Sequence, residues 1–326
     1  MTSVRTMLWI IVAAWSVLWI DCQVSGDEPA KKAENDDTLY AFTFFRDNGQ
    51  DGVYLAVSED GLKWREINMS KPILSPQVGG KLTRDPSVVL GGDGKYHMVW
   101  TTSWTGDGFG IAHSEDLLTW SEQKYIAINQ GDDKAKNTWA PEIFYDAALT
   151  QYLVIWATTR EGDFPETARQ GDGGYNHRMY ASVTKDFVNW SPKFLFFDGG
   201  FNVIDAFLFK KEDRYGLIVK DETLKPTAAK DLHVVWSTGN ALGPWDQVQP
   251  PFTDHKIAWA EGPAALQVGK RWLIYFDQYD KGKYAAVETA DFKTFQEVAV
   301  ELPKGARHGT MIKVDPASAK ILRALP

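Results

Sequence analysis

From residue 39 onwards, apolar residues recur in short runs of β-type composition and not at helical spacing. Examples are LYAFTFF at 39–45, YHMVW at 96–100 and YASVT at 180–184, each bounded by Gly, Asp, Asn or Pro nearby. Short runs of this kind are typical of β-strands, and no long stretch repeats apolar residues at i, i+3, i+4 and i+7. The pattern therefore predicts an all-β protein.

One phrase recurs along the chain at irregular intervals. It reads YLAVSEDGLKW at 54–64, GIAHSEDLLTW at 110–120, YASVTKDFVNW at 180–190 and YAAVETADFKTF at 284–295, with a looser copy, HVVWSTGNALGPW, at 233–245. Each copy predicts a strand, a tight turn of the Asp/Gly type, and an aromatic residue that opens the next strand. Such self-similarity indicates a repeated supersecondary unit.

Two further predicted strands precede four of the five copies. These pairs are RDPSVVL and KYHMVWTT, WAPEIFY and QYLVIWAT, IDAFLFK and RYGLIVK, and EGPAALQ and RWLIYFD. The first copy is preceded only by 39–45, and the missing strand is available at the other end as HGTMIKV, 308–314. We therefore predict a five-bladed β-propeller with four-stranded antiparallel blades, closed by pairing of the C-terminal strand with the N-terminal blade. An array of β-sandwiches is the alternative.

The N-terminus has the pattern of a secretory signal. Arg5 precedes an apolar segment at 7–20, and Val24 and Gly26 stand at −3 and −1 of a cleavage site before residue 27. We predict a signal peptide at 1–26, a flexible polar leader at 27–38, and one catalytic domain at 39–326. The mature protein is then secreted or periplasmic, with an uncleaved anchor as the alternative.

Composition narrows the classes of function. Cys22, the single cysteine, lies in the predicted signal, so the mature chain has neither a disulfide nor a cysteine nucleophile. The net charge is −8 and no run of Lys or Arg occurs, which argues against a nucleic-acid partner. The 14 Trp, 12 Tyr and 17 Phe serve mainly core packing, and some offer flat platforms for sugar rings. We expect a monomer with a carbohydrate partner.

Charged residues stand near the starts of the predicted innermost strands, which line the channel of a propeller. Four strands carry a carboxylate and the fifth carries two basic residues: Asp85, Glu142, Asp205 and Glu261, then Arg307 and His308. Carboxylates in such crowded positions are costly unless they are paired, hydrogen-bonded or functional. A structural ion-pair cluster is the alternative to a functional site.

The long predicted loops lie on the same face as these strand starts. They connect the second and third strands of their blades and cover 103–109, 159–177 and 221–230. Turns on the opposite face are short, so one face combines carboxylates with a wall of loops. Binding and catalytic sites are usually built in this way on a rigid scaffold.

The motifs favour acid–base chemistry on sugars. The chain has no GxSxG elbow, no HExxH and no Walker lysine motif, so nucleophilic, metal-dependent and nucleotide-dependent hydrolysis are not supported. Paired carboxylates fit glycoside hydrolysis, in which one acid protonates the leaving oxygen and another carboxylate activates water or attacks the sugar. Trp104, Phe109 and Trp139 lie beside the same face and are candidates for stacking on sugar rings.

The order of these motifs resembles glycoside hydrolase family 43 and related five-bladed propeller glycosidases. The resemblance rests on RDP, WAP, IDA, EGP and RHGT, each opening a blade, and spans about residues 39 to 315. It implies an inverting exo-glycosidase that acts on α-L-arabinofuranosides, β-D-xylosides or galactans. IDA in place of the commoner IDP and KDE at 220–222 mark an atypical branch, which leaves algal and host polysaccharides open as substrates.

The same resemblance implies roles for individual residues. Asp85 takes the general-base position, Asp205 the position that orients the acid and modulates its pKa, and Glu261 the general-acid position. His308 lies where the family often has a channel histidine near a bound calcium ion or water. We expect that the reaction itself requires no cofactor. We expect the following residues to bind substrate: Arg84, Trp104, Trp139, Glu142, Lys220, Arg307 and His308.

Two expectations concern the proposed acid. Aligning the prolines of RDP and EGP places Glu261 one position earlier than Asp85, and a one-residue offset reverses side-chain direction in a regular strand. Gly262 must therefore permit a local bend. Burial and the charge of Asp205 are expected to raise the pKa of Glu261.

Other functions remain open at this point. A non-catalytic sugar-binding propeller would retain the aromatic residues without needing an acid and a base. A retaining fructosidase-type propeller needs an early nucleophilic Asp, which FFRDNGQDG at 44–52 matches poorly. A glycoside phosphorylase needs a basic phosphate pocket, for which Arg84, Lys220 and Arg307 are candidates.

Overall fold

A computed structural model describes residues 38–253, 257 and 259–326. The predicted signal peptide and leader lie outside these residues, apart from residue 38. The described residues form five antiparallel sheets, and the innermost strands of neighbouring sheets contact each other in a ring. The five-bladed propeller is therefore confirmed.

The part of the chain that the structure describes contains 19 strands, which build the blades in chain order except for β19. The first blade contains β1 (Tyr40–Phe45), β2 (Tyr54–Ser58) and β3 (Arg65–Glu66), the second β4 (Arg84–Leu90), β5 (Tyr96–Thr101), β6 (Phe109–Ser114) and β7 (Lys124–Ile126), and the third β8 (Trp139–Asp146), β9 (Gln151–Thr159), β10 (His177–Thr184) and β11 (Phe194–Phe197). The fourth contains β12 (Val203–Lys211), β13 (Arg214–Asp221) and β14 (Asp231–Ser237), and the fifth β15 (Ala260–Val268), β16 (Arg271–Gln278), β17 (Lys283–Thr289) and β18 (Gln296–Val298). A short 3-10 helix (Asn68–Ser70) follows β3, and β19 (Arg307–Lys313) and α1 (Pro316–Arg323) end the chain.

The ring closes through the C-terminal strand. β19 pairs antiparallel with β1, with Tyr40 opposite Lys313 and Ala41 opposite Ile312, and it is the innermost strand of the first blade. The split repeat therefore predicted the closure correctly. This pairing gives the inner edge of β1 a partner and completes the first blade with a fourth strand.

The fourth blade differs from the others in its outer edge. Among the described residues it has three regular strands. Residues 246–252 run beside β14 and bond to it through backbone groups, from Asp246 to Trp236, Gln249 to Val234 and Phe252 to Leu232. An irregular segment thus occupies the position of the fourth strand.

The repeated phrase forms the same turn in four blades. In the first blade, Asp60 Oδ1 accepts hydrogen bonds from the backbone N–H groups of Leu62 (2.7 Å) and Lys63 (2.9 Å), and Ser58 Oγ accepts from Gly61. Equivalent bonds form at Asp116, Asp186 and Asp291. These side-chain-to-backbone bonds explain why each turn has a Ser or Thr and, two residues later, an Asp.

The core lies between neighbouring blades and is rich in aromatic side chains. Phe209, Trp272 and Phe292 pack together where the fourth and fifth blades meet, with ring centroids 4.7 to 5.5 Å apart. Most of the aromatic content therefore serves packing, as composition suggested. No helix among the described residues is long and apolar enough to cross a bilayer.

Candidate active site

A bulge near the start of four inner strands aims their side chains into the channel mouth. The ladder is interrupted between Arg84 and Ser87, Trp139 and Glu142, Ile204 and Phe207, and Glu261 and Ala264. Each interruption contains one residue with positive φ: Asp85 (52°), Ala140 (45°), Asp205 (53°) and Gly262 (57°). A bulge adds an unpaired residue and redirects its neighbours.

This bulge resolves the one-residue offset between the proposed acid and base. Asp85 occupies the bulge position of β4, whereas Glu261 precedes the bulge position of β15, which is Gly262. Both side chains nevertheless line one cavity. The predicted bend at Gly262 is confirmed.

Gly262 also provides the space in which His308 lies. A Cβ added to Gly262 would be 2.3 Å from Cγ of His308, and its φ of 57° disfavours other residues. Gly262→Ala is therefore expected to lower kcat/KM by about 10²-fold, because it displaces His308. Its backbone strain should cost about 1–3 kcal/mol of unfolding free energy.

Gly269→Ala is the matched control for this change. Gly269 has a φ of 62° in the same blade, and nothing lies within 4 Å of its added Cβ. It should show a similar loss of stability in urea unfolding with no change in kcat/KM. Equal loss of activity in both variants would contradict the role assigned to the contact with His308.

A cavity of about 240 Å³ collects most of the predicted residues. It is lined by Arg84, Asp85, Thr101, Trp104, Trp139, Ala140, Ile204, Asp205, Lys220, Glu222, Glu261, Arg307 and His308. All three proposed catalytic carboxylates and six of the seven expected substrate-binding residues are thus brought together. The seventh, Glu142, is not part of the lining.

The placement of Glu142 corrects the expectation that it binds substrate. Glu142 follows the bulge of its strand by two positions, so its side chain lies deeper, buried against Ser87, whose Oγ donates to Glu142 Oε2 at 2.6 Å. Burial raises the pKa of Glu142 to about 8, against the opposing hydrogen bond from Ser87. Phe109 is also wrong as a sugar platform, because it is fully buried against Trp156 and Trp190.

Asp85 is held as an ionised carboxylate. His308 Nδ1 lies 3.3 Å from Asp85 Oδ1, and Thr101 Oγ1 donates to Asp85 Oδ2 at 2.8 Å. Burial alone would raise its pKa, but the hydrogen bond and charge of His308, together with Arg84 and Thr101, lower the pKa of Asp85 to about 2. The group is therefore a charged acceptor at neutral pH.

Asp205 has the opposite environment in the same cavity. Its carboxylate accepts a 3.0 Å hydrogen bond from the backbone N–H of Gly262. Burial raises the pKa of Asp205 to about 6, and the charges of Glu261 and Asp85 add to this shift while His308 and Lys220 oppose it. The pKa of His308, lowered by burial but raised more by Asp205 and Asp85, reaches about 9.

Glu261 is flanked by two cations. Its Oε2 lies 3.1 Å from Lys220 Nζ, and its Oε1 lies 3.3 Å from a guanidinium nitrogen of Arg307. The sequence-based expectation considered only burial and the negative charge of Asp205. The contacts with Lys220 and Arg307 are not revealed by the motif.

Two carboxylates missed by the sequence analysis fix these cations. Asp277 Oδ2 accepts from Arg307 Nε at 2.6 Å, and Glu222 Oε2 lies 2.7 Å from Lys220 Nζ. Glu222 also pairs with Lys230. Glu222 alternates with Lys220 at the end of β13, so strand periodicity was the available signal, whereas nothing in the sequence pointed to Asp277.

Aromatic and cationic groups form one edge of the cavity. The Arg84 guanidinium lies 4.3 Å from the Trp104 ring centroid and bonds to Asn48 Oδ1 at 3.1 Å. Trp104 donates to the same oxygen, and Trp139 donates to the carbonyl oxygen of Trp104 at 2.9 Å. The 48% exposure of Trp104 leaves ring surface free for a ligand.

The calcium ion that the family resemblance allowed near His308 stays a prediction. His308 is positively charged at neutral pH and its Nδ1 already pairs with Asp85. A hard cation prefers oxygen ligands and is repelled by an imidazolium. No catalytic step is therefore assigned to a metal.

One group of described side chains has metal-ligand geometry elsewhere. Ligand atoms of Asp221, Asp231 and His233 lie within 4.8 Å of one another at the ends of β13 and β14, outside the cavity lining. His233 Nε2 is 2.9 Å from Asp231 Oδ1 and its Nδ1 is 2.8 Å from the carbonyl oxygen of Gln249. Burial lowers the pKa of His233, but these acceptors raise it more, and a protonated ring accounts for the cluster.

Comparisons with known proteins agree with this architecture. A family model described as "Probable glycosyl hydrolase domain", of the group related to family 43, matches residues 36–319. An α-L-arabinofuranosidase of Bifidobacterium longum subsp. longum is 26% identical over 213 residues, which cover 57% of this chain and 20% of the relative. The chain thus spans about a fifth of the length of the curated relative it matches.

Solved structures with the same fold include two family-43 proteins. A thermostable family-43 glycoside hydrolase has a TM-score of 0.56 at 14% identity, covering 75% of this chain and 82% of its own. A family-43 β-1,3-galactosidase with galactodeoxynojirimycin has a TM-score of 0.56 at 12% identity, covering 83% and 93%. At these identities the likeness shows the fold.

Proposed function

Because the chain belongs to the family of glycosyl hydrolase domains related to glycoside hydrolase family 43, we propose that it hydrolyses glycosidic bonds from chain ends with inversion. One observation carries the proposal. The three proposed catalytic carboxyl groups, from three blades, line one cavity, and one of them, Asp85, is ionised with a pKa of about 2. Glycoside hydrolysis by inversion needs such a carboxylate as base and a second carboxyl group as acid at the same site.

Asp85 is the proposed general base. It is ionised, oriented by Thr101 and His308, and lines the cavity, so it can accept a proton from an attacking water. Water attack on the face opposite the leaving group gives inversion. Proton NMR of the first-formed sugar tests this step, and a product of retained anomeric configuration would contradict it.

Glu261 is the proposed general acid, with Asp205 as the residue that positions it through the bulge. Asp205 accepts the N–H of Gly262, the residue that follows Glu261, and so connects the two carboxyl groups through the backbone. Glu261 contacts Lys220 at 3.1 Å and Arg307 at 3.3 Å, and these two cations hold its carboxyl group at the cavity.

Replacing the acid and its helper should have different effects. Glu261→Gln should lower kcat/KM by about 10²–10⁴-fold on natural substrates, with a smaller loss on nitrophenyl glycosides, whose leaving group needs little protonation. Asp205→Asn should lower activity on both and move the basic limb of the pH profile downward. The direction follows because loss of the negative charge of Asp205 lowers the pKa of neighbouring acids, including His308.

The measurement is kcat/KM against pH for both variants, with Glu288→Gln, on the outer part of the fifth blade, as the control. Equal loss on both substrates for Glu261→Gln would rule out its role as acid. If Asp205→Asn instead spares the nitrophenyl glycoside, Asp205 is the acid. If Asp205→Asn leaves the basic limb of the pH profile unchanged, Asp205 does not modulate the pKa of the acid and is instead a ligand of the sugar.

The proposed substrate is a terminal neutral sugar of the arabinofuranoside, xyloside or galactoside type on a plant, algal or host polysaccharide. A cavity of about 240 Å³ is small for a ligand site, which usually has ~300–1,000 Å³, and this supports recognition of one sugar ring. The matched arabinofuranosidase and the galactosidase of the same fold guide the choice. Secretion to the periplasm or the medium and a monomeric state stay predictions from the sequence.

A screen of nitrophenyl glycosides and polysaccharides tests the function as a whole. Arabinofuranoside, xyloside and galactoside substrates should include one that is cleaved to a monosaccharide. Binding of sugars without cleavage would favour the non-catalytic propeller. A phosphorylase is less well supported, because Lys220 and Arg307 are each paired with two carboxylates and offer little free charge to phosphate.

A further inference from the structure

A second cavity of about 270 Å³ adjoins the first one. Trp104, Trp139 and Glu222 line both cavities. Tyr175 and His177, at the end of the long loop before β10 and the start of that strand, line only the second cavity. The two cavities therefore form a continuous surface with room for more than one ring.

Aromatic rings make up the wall of the second cavity. The centroids of Trp139 and Tyr175 are 4.6 Å apart, and those of Trp104 and Trp139 are 5.5 Å apart. Tyr175 stacks on His177 with an angle of 4° between the rings. Ligand sites commonly combine such apolar walls with a few polar groups that set orientation.

The protonation state of His177 follows from its neighbours. The backbone N–H of His177 donates to Asn202 Oδ1 at 2.7 Å, which identifies that atom as the oxygen, and His177 Nδ1 lies 3.2 Å from it. An amide oxygen only accepts, so the ring hydrogen is on Nδ1 and Nε2 is a bare acceptor. Burial lowers the pKa of His177 to about 4, so the ring is neutral.

Nε2 of His177 has no hydrogen-bond partner, although the side chain is only 2% exposed. Buried polar atoms are normally satisfied, and an orphan in a cavity wall points to a ligand. A bare nitrogen acceptor requires a donor from that ligand. A hydroxyl group supplies one, whereas a carboxylate or phosphate oxygen does not.

The acidic residues that line the second cavity disfavour an anionic ligand. Asp172 and Glu222 are in the lining, and no Lys or Arg is among its described residues. Burial would raise the pKa of Glu222, but Lys220 and Lys230 outweigh it and keep that carboxylate ionised. The polar groups are therefore mostly acceptors, which suits an uncharged ligand rich in hydroxyl groups.

We propose that the second cavity binds the neutral sugar on the leaving-group side of the scissile bond, with His177 Nε2 accepting a hydrogen bond from one of its hydroxyl groups. This inference rests on the proposed function. If the first cavity holds the terminal sugar, the rest of the chain must leave through the adjoining surface. The subsite should therefore contact a substrate that has a second sugar but not a simple aryl glycoside.

His177→Asn tests the subsite, because the Asn amide nitrogen can replace Nδ1 at Asn202 while the Nε2 acceptor is lost. The readout is the ratio of kcat/KM for a neutral trisaccharide to kcat/KM for the nitrophenyl glycoside of the same terminal sugar. The ratio should fall about tenfold, as expected for one lost hydrogen bond. His113→Asn, in the second blade beside the turn at Asp116, is the matched control and should leave the ratio unchanged.

Folding is checked by urea unfolding, and Tyr175→Ala, at a partly exposed wall position, provides a second variant that should lower the same ratio. If the parent cleaves the aryl glycoside but both variants keep the parent ratio, the subsite is wrong and the proposed function stands.

A binding experiment tests the opposite case, in which sugars bind but are not cleaved. Trisaccharide affinity is measured by calorimetry in Asp85→Asn with and without His177→Asn, and the second change should weaken it about tenfold. If the parent cleaves no glycoside but His177→Asn weakens binding, the sugar contact of His177 stands, and the hydrolase proposal fails together with the leaving-group position of the subsite. A parent that neither binds nor cleaves the three sugar types overturns both.

Discussion

Asp85→Asn is expected to lower kcat/KM by about 10²–10⁴-fold on every substrate. The carboxylate is ionised because its pKa is about 2, and its two oxygens are oriented by His308 and Thr101. An amide of the same shape keeps the hydrogen bond from Thr101 but accepts no proton. The loss should therefore be in kcat more than in KM, and it should not depend on the leaving group.

The measurement is steady-state kinetics on a nitrophenyl glycoside and on the natural polymer. Asp186→Asn is the matched control, since Asp186 is exposed in the turn of the third blade and its amide can still accept backbone hydrogen bonds. Retention of more than a tenth of the parent activity by Asp85→Asn would exclude Asp85 as the base. A loss confined to poor leaving groups would instead make it the acid.

Deleting residues 305–326 is expected to abolish cooperative folding of the propeller. The deletion removes β19, which pairs with β1 and contacts β4 and β15. It also removes the buried side chains of Met311, Val314 and Leu322. Each such burial contributes about 1.5–3 kcal/mol, so the total is comparable with the whole stability of a domain, about 5–15 kcal/mol.

Urea unfolding followed by tryptophan fluorescence and circular dichroism measures this effect. Deletion of residues 325–326 is the control, because it leaves β19 and α1 (Pro316–Arg323) intact. A cooperative transition with an unchanged midpoint in the longer deletion would show that the C-terminal strand does not close the ring.

The fold could be predicted because its information is local and repeated. Alternation defines each strand, and Asp60 and its three equivalents form turns through bonds to residues two and three positions later. β19 pairs with β1 although the two strands lie near opposite ends of the chain. The pairing was predictable because the first blade had one predicted strand too few, and the predicted strand at 308–314 belonged to no other blade. The irregular edge of the fourth blade was not predictable, since its copy of the phrase is the loosest.

The sequence could predict which residues line the site only where the position of a residue along its blade determines that its side chain faces the channel. Strand starts face the channel in a propeller, so the sequence correctly placed Asp85, Asp205 and Glu261 at one cavity, and their catalytic roles stay predictions. Glu142 was misplaced, because its depth depends on where the bulge falls in its strand. The contacts of Glu261 with Lys220 and Arg307 join different blades, and no local pattern encodes a distance between blades.

The sequence by itself determined the strands, the turns, the number of blades and the family motifs, because these depend on neighbours along the chain. The tertiary structure decided which charges meet, and thereby that Asp85 is ionised, that the pKa of Asp205 is raised and that Glu261 is flanked by cations. It also decided that Nε2 of His177 faces no partner. These properties arise from burial and Coulomb interactions across the ring, which act over distances in space and are set only when the blades close.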